Sequence, residues 1–166
     1  MNEEHNPLTE HDEDFDNTVI LEPPPDGAYS MCLIKLSMEL SGKDTTPREE
    51  REWLLKWTFL IIGEEKAYSP VYKTTFIERT GTNRKIFKQE LAKLGYKGKL
   101  SDLYHAEARE QLINICVRAK QKTTPNEKNP GYFYVNISIS NKIEVENLDA
   151  MLATARGKSA EEEIPF

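Results

Sequence analysis

The chain has 166 residues, 38% of them hydrophobic and 30% charged, which suits one domain of ordinary size with tails. Its two cysteines, Cys32 and Cys116, lie in apolar, strand-like runs, which argues against a disulfide framework or a zinc-ligand spacing and predicts buried free thiols. The formal charge of −6 is unevenly spread: residues 1–26 hold nine acidic and no basic side chains, residues 27–140 hold 19 basic and 13 acidic, and residues 141–166 hold three basic and six acidic.

A basic body between two acidic arms is the pattern that the whole-chain charge conceals. Residues 1–26 read as a disordered acidic arm. Its carboxylates, from Glu3 to Asp16, repel one another, and Pro23-Pro24-Pro25 closes the segment. The run from Asp12 to Asp16 has no ligand loop or glycine turn around it, so it reads as solvated charge and not as a metal site. The arm lacks the apolar core of a signal peptide. No uninterrupted apolar run is longer than that of residues 59–62, which is too short to span a bilayer. A soluble cytoplasmic protein with no membrane partner is expected.

After Asp26-Gly27 the first strand begins, with Cys32, Ile34, Leu36, Met38 and Leu40 expected on one face. A polar loop follows over residues 41–50. The second strand spans about 52–62. Trp53, Leu55, Trp57, Phe59 and Ile61 share its core face, and Leu54, Lys56, Thr58, Leu60 and Ile62 share the other. A turn at Gly63 leads to a third strand over 71–78, rich in β-branched and aromatic residues.

The period then changes from two to 3.6. Thr82 or Asn83 caps a helix running to about Leu94, with Ile86, Phe87, Glu90, Leu91 and Leu94 on one stripe and Gly95 as its stop. Arg84, Lys85, Lys88 and Lys93 occupy much of the rest of its surface, expected to be solvated. A shorter helical stretch follows from Ser101 to about Glu110. The fourth strand sets Ile113, Ile115, Val117 and Ala119 against Asn114, Cys116, Arg118 and Lys120. A loop over 122–131 precedes the fifth strand. There Phe133, Val135, Ile137 and Ile139 are expected inside, and Tyr132, Tyr134, Asn136 and Ser138 outside. Residues after about Leu148 read as a linker, with a brief helix at 150–155.

Three strands, a helix and two more strands is the order of the OB-fold, so the expected class is mainly β. The expected architecture is an OB-fold-like five-stranded barrel with its helix between strands three and four. The domain division is a disordered arm at 1–26, a single-stranded nucleic-acid-binding body at 27–148, and a flexible linker with a docking tip at 149–166. The usual ligand surface of such a fold, strands two and three with the loops 1–2 and 4–5, places the loops 41–50 and 122–131 at a groove rim. Sequence-tolerant single-strand binding needs aromatic faces for bases and cations for phosphates. Alternation turns Tyr132, Tyr134, Arg118, Lys120 and Lys56 outward. Tyr72 and Lys73 lie on the third strand, and Lys122 opens the loop. These eight residues are the expected single-stranded-DNA contacts.

No catalytic pattern stands out, and an enzyme is not expected. His5 and His11 lie in the arm, and His105 has no Cys or Ser partner in a nucleophilic pattern. No glycine-rich phosphate loop or metal-ligand spacing appears, so no cofactor is expected.

The sequence ends Glu161-Glu162-Glu163-Ile164-Pro165-Phe166. Three carboxylates suit encounter with a basic rim, Pro165 stiffens the approach, and the Phe166 ring beside a terminal carboxylate suits a pocket lined by cations or amides. The segment resembles the acidic tip of bacterial single-stranded-DNA-binding proteins, which typically reads Asp-Asp-Asp-Ile-Pro-Phe; Glu replaces Asp at three positions and keeps the charge. In that family the tip docks onto replication, recombination and repair proteins, so the resemblance implies such partners here. The body also resembles a family of small phage proteins found among replication and recombination functions. The carriers are Trp57-Thr58-Phe59, Leu91-Ala92-Lys93-Leu94-Gly95 and residues 132–137. The body motifs of the ordinary bacterial family are absent, so its tetramer is not carried over; the sequence leaves the oligomeric state open, a homo-oligomer among the states it allows. A second function is compatible with the same tip: an adaptor or decoy that binds no DNA and competes for the pocket where a host's own single-strand binder docks.

Overall fold

The computed structural model describes residues 21–157. The alternating segments become five strands: β1 (Gly27–Leu40), β2 (Trp53–Ile62), β3 (Val71–Phe76), β4 (Cys116–Pro125) and β5 (Phe133–Ile143). The 3.6-periodic segment becomes α1 (Thr82–Lys93). A 3-10 turn at Leu100–Tyr104 leads to the short α2 (Ala106–Glu110), and α3 (Leu148–Ala155) follows the last strand. The strands form one antiparallel sheet in the order β3-β2-β1-β4-β5. No helix among the described residues is long and apolar enough to cross a membrane.

The expected barrel does not close. β3 and β5 remain edge strands with no ladder between them. Side chains bridge them instead. Lys73 Nζ donates to the carbonyl of Ile137 at 2.6 Å and pairs with Glu90 Oε1 at 3.1 Å. Glu90 Oε2 accepts from the Ile139 N–H at 3.2 Å, and Lys93 Nζ donates to the Ile139 carbonyl at 2.9 Å. Backbone groups on the inner edge of β5, which a ladder would have satisfied, are thus satisfied by α1 and β3 side chains.

The inner face carries the main core. Leu55, Trp57, Phe59 and Ile61 of β2 meet Phe87, Leu91 and Leu94 of α1, with Val117, Ala119, Ile137 and Ile139 from the other half of the sheet. The β2 alternation therefore holds, and Trp57 is fully buried. Trp53 at the strand's start is only half-buried, edge-on to Tyr104. Gly95 ends α1 at φ 87°. The Gly95 N–H donates to the Ala92 carbonyl and the Tyr96 N–H to the Leu91 carbonyl, a Schellman stop. Ile86, expected in the buried stripe, is instead exposed at its margin.

In β1 a bulge between Leu33 and Lys35 reverses the alternation. Tyr29, Met31 and Leu33 face the main core before it, and Leu36 and Met38 after it. Cys32 and Ile34 face the other side, so the expected single face from Cys32 to Leu40 is split. On that outer side Cys32, Leu60, Ile62 and Cys116 pack under Leu152 and Ala155 of α3. The start of the expected linker is therefore a helix that covers sheet. Cys32 and Cys116 stand opposite each other across β1 and β4 as free, buried thiols. Burial pushes the Cys32 thiol up to about 12.

The segment 21–26, placed by sequence in the acidic arm, is bonded to the sheet. Glu22 bridges to Tyr68 and pairs with Lys66 at 2.7 Å. The expected disorder of residues 1–20 concerns residues outside those described.

Candidate nucleic-acid interface

The fourth strand starts and ends later than its alternation suggests. Asn114 takes a left-handed backbone, φ 73°, and donates to the Leu33 carbonyl at 2.7 Å, so regular pairing begins only at Cys116. At the other end the strand continues through the expected loop as far as Pro125, pairing Lys122 with Asn136 and Thr124 with Tyr134. The connecting loop is residues 126–132, closed by the Asn126 N–H on the Tyr132 carbonyl at 3.0 Å.

This extension makes a two-stranded ribbon. β1 begins at Gly27, opposite Gln121, so residues 122–125 have no third strand beside them. Phe133 and Val135 keep the inward parity of Ile137 and Ile139, yet they lie beyond the core. The result is four large apolar residues in succession left open: Tyr132 71%, Phe133 63%, Tyr134 56% and Val135 47% exposed. The expectation that Phe133 and Val135 are core is corrected on this ground. Alternation reports which side a residue faces; it does not report where the opposing layer ends.

Asp26 anchors the ribbon's root. Its carboxylate accepts from the Thr123 N–H at 2.9 Å and the Thr123 hydroxyl at 2.7 Å. These bonds hold the carboxyl below the ordinary carboxylate range. Beside it the Gln121 Nε2 donates to the Pro24 carbonyl at 2.8 Å. Sequence alternation did not single out Asp26 or Gln121 as functional; an Asp just before a strand start was the available signal for the first.

Cations gather around the ribbon. Residues 116–138 hold Arg118, Lys120, Lys122 and Lys128 against one acid, Glu127. Arg118, Lys120 and Lys122 are exposed on the outer face of β4, where register also places Tyr134, Asn136 and Ser138. Arg118 lies nearest the covered patch: Cys116, two residues earlier on that face, is already under α3.

Lys56 and Tyr72 lie on the outer face of β2 and β3, with the Lys56 ammonium 4.9 Å from the Tyr72 ring centroid. The bridge from Lys73 to Ile137 brings β3 alongside β5, so Tyr72 and the ribbon's Val135 line one cavity. Lys73 itself is placed differently from the expectation. Paired with Trp57 in register, it points to the inner side, and its charge is committed to Glu90. Seven of the eight expected contacts, Lys56, Tyr72, Arg118, Lys120, Lys122, Tyr132 and Tyr134, therefore offer side chains to the outside, and Lys73 does not.

Of the four helix cations expected to be solvated, two are engaged with backbone: Lys93 with Ile139, and Arg84 with the Ile77 carbonyl at 2.8 Å. The tip Glu161, Glu162, Glu163, Ile164, Pro165 and Phe166 lies outside the described residues. Among the described residues no group of three or more His, Cys, Asp or Glu side chains could hold a metal ion. The sequence matches no family model and no curated protein.

Proposed function

We propose that this protein binds single-stranded DNA with little sequence preference and recruits replication, recombination or repair proteins through residues 161–166. The observation that carries the reading is the β4–β5 ribbon: four successive exposed apolar residues, three of them aromatic, beside four cations and one acid. Bases supply π faces for Tyr132, Phe133 and Tyr134, and phosphates supply counter-charges for Arg118, Lys120 and Lys122. No base edge need be read, so binding tolerates any sequence.

We also read the sheet as an OB-type barrel parted along one seam. An OB barrel opened between its third and fifth strands has the order β3-β2-β1-β4-β5, with a helix between the third and fourth strands. On this reading Lys73, Glu90 and Lys93 stand in for the missing ladder, and the ribbon is the 4–5 connection that folds over a bound strand. The tip adds independent support through its resemblance to the docking segment of bacterial single-strand binders.

The test is a fluorescence titration of the full chain with labelled oligo-dT at low and at near-physiological salt. Binding that weakens steeply with salt is expected. No binding at low salt would sink the reading and favour an adaptor that acts through its tip alone.

A further inference from the structure

We infer that residues 10–16 of this chain dock on the outer face of the ribbon, over Tyr134 and the cations of β4, and that a single strand displaces them. The docking stands on charge and on where the chain is anchored. Only the displacement rests on the single-strand-binding reading.

The surface offers two things at once. Tyr134 is 56% exposed, and on its face Arg118, Lys120 and Lys122 are exposed too. These cations recur at every second position of one strand, about 7 Å apart, so they repel one another. Among the described residues no carboxylate pairs with any of the three; the Arg118 guanidinium donates only to the neutral Ser30 hydroxyl, at 3.3 Å. The face therefore wants an anion and an apolar ring together.

Residues 1–20 supply both. They hold seven acids and no Lys or Arg, and five of those acids fall within residues 10–16, around the ring of Phe15. A run of carboxylates alone would answer the cations and leave the tyrosine open; a phenylalanine among carboxylates answers both. The anchor brings them within reach. The Pro24 carbonyl accepts from Gln121 Nε2 at 2.8 Å, and the Asp26 carboxylate accepts from Thr123, so Lys122 lies between two points where this segment is tied to β4. Phe15 precedes Pro24 by nine residues, a reach of up to about 32 Å, whereas β4 from Lys122 back to Arg118 spans about 13 Å. Glu22 and Asp26, the last acids of the same stretch, already bond to this end of the sheet through Lys66 and Thr123. The tip also joins acids to a phenylalanine, but it carries three acids and follows α3, which packs over Cys32 and Cys116 and not on the ribbon.

A tether of this length gives an effective concentration of about 1 mM. Against a charge-driven, non-specific contact with a dissociation constant of about 0.1 mM, the docked form outweighs the open one by about ten to one. An incoming strand then meets an affinity about tenfold below that of the open ribbon.

The experiment uses the full chain with Phe15 replaced by the photo-reactive p-benzoylphenylalanine, irradiated at low salt without DNA, the adducts being mapped by mass spectrometry. Adducts within one chain, at residues 118–135, are expected. They should fade at about 1 M salt, where charges are screened beyond about 3 Å, and on addition of oligo-dT. In parallel, the full chain carrying Asp12→Asn, Asp14→Asn and Asp16→Asn together is titrated with oligo-dT. It should bind about tenfold more tightly than wild type at low salt and equally at high salt. Adducts confined to α1 near Lys85 and Lys88, adducts that join two chains, or none at residues 118–135 would overturn the docking. A tenfold gain from Glu161→Gln, Glu162→Gln and Glu163→Gln with none from the Asp variant would assign the face to the tip and overturn it as well. Ribbon adducts that persist when oligo-dT is bound would overturn the displacement. Ribbon adducts in a chain that binds no oligo-dT would uphold the docking and remove the single-strand reading, and the displacement with it.

Discussion

Replacing Glu90 by Leu should destabilise the protein far more than an ordinary helix substitution. The Glu90 and Lys73 side chains are 6% and 14% exposed. Glu90→Leu leaves the Lys73 ammonium with only the Ile137 carbonyl, and leaves the Ile139 N–H without its carboxylate acceptor. Removing one partner of a buried ion pair costs about 3–5 kcal/mol. For a chain of this size about 1 kcal/mol moves Tm by roughly 2–4 °C, so a loss of about 6–20 °C is expected. Lys73→Met should cost a similar amount, because Glu90 then keeps a buried charge with Ile139 N–H as its remaining donor. The double variant Lys73→Met/Glu90→Leu removes both charges and leaves only the unsatisfied backbone groups, a cost of about 1–3 kcal/mol. It should be more stable than either single variant. Urea unfolding followed by circular dichroism measures all three. A Glu90→Leu loss under about 0.5 kcal/mol, the level of a neutral surface change, would refute the bridge between β3 and β5. So would a double variant whose loss equals the sum of the singles, since partners in contact must couple.

Four further outcomes are expected. Tyr132→Ala and Tyr134→Ala should each weaken oligo-dT binding by about 1–3 kcal/mol on any sequence, with Tm unchanged because both rings are exposed; normal binding by both variants would remove the ribbon from the interface. Arg118→Ala and Lys120→Ala should each lower the single-strand log–log salt slope by about 0.7, read from titrations at several salt concentrations; an unchanged slope means no phosphate contact. Deleting residues 164–166 should abolish capture of a tip-binding replication protein and leave oligo-dT affinity nearly unaltered; undiminished capture would make the terminal likeness accidental. Cys32, whose thiol is pushed up to about 12 by burial and then by the neighbouring Cys116, keeps its proton in the folded state while the unfolded chain loses it. Its stabilising contribution is fully present below about pH 8.5 and is lost as pH rises towards 12, so urea midpoints should fall over that window and Cys32→Ala should flatten the fall.

Much of the sheet was legible because its strands alternate and are half-buried. In β2 the two faces bury Trp57 on one side and Leu60 on the other, and the alternation assigns both correctly. The α1 stripe and its Gly95 stop follow from a change of period and a left-handed glycine. Three features were not legible, each for a physical reason. The bulge after Leu33 adds one residue to one strand, and no residue there marks it. The ribbon's exposure depends on where β1 ends, a property of a different segment from the one exposed. The Lys73–Glu90 pair joins residues 17 apart whose separate patterns read as groove cation and helix stripe; only the packing of α1 between β3 and β5 makes them partners. Glu90 within an otherwise apolar stripe was the one sequence signal that a buried cation was needed.

The ribbon's composition answers two constraints at once. An exposed pair of strands carrying Phe133, Val135 and two tyrosines is a template for pairing with another copy. Proteins guard such edges with charge, and here the guard is mainly positive: Arg118, Lys120, Lys122 and Lys128 outnumber Glu127. Like charges on two approaching ribbons repel, so self-pairing is opposed. On the proposed function the same charges attract a polyanion, which would neutralise them and bring its bases to the rings in the same encounter. Mixed-sign guarding would also have kept copies apart, by solvation, but would have placed carboxylates against phosphates. A guard of predominantly positive sign discourages a second copy and, on the proposed function, favours a nucleic-acid strand, which is the argument for taking the open rings as an interface and not as an unfinished core.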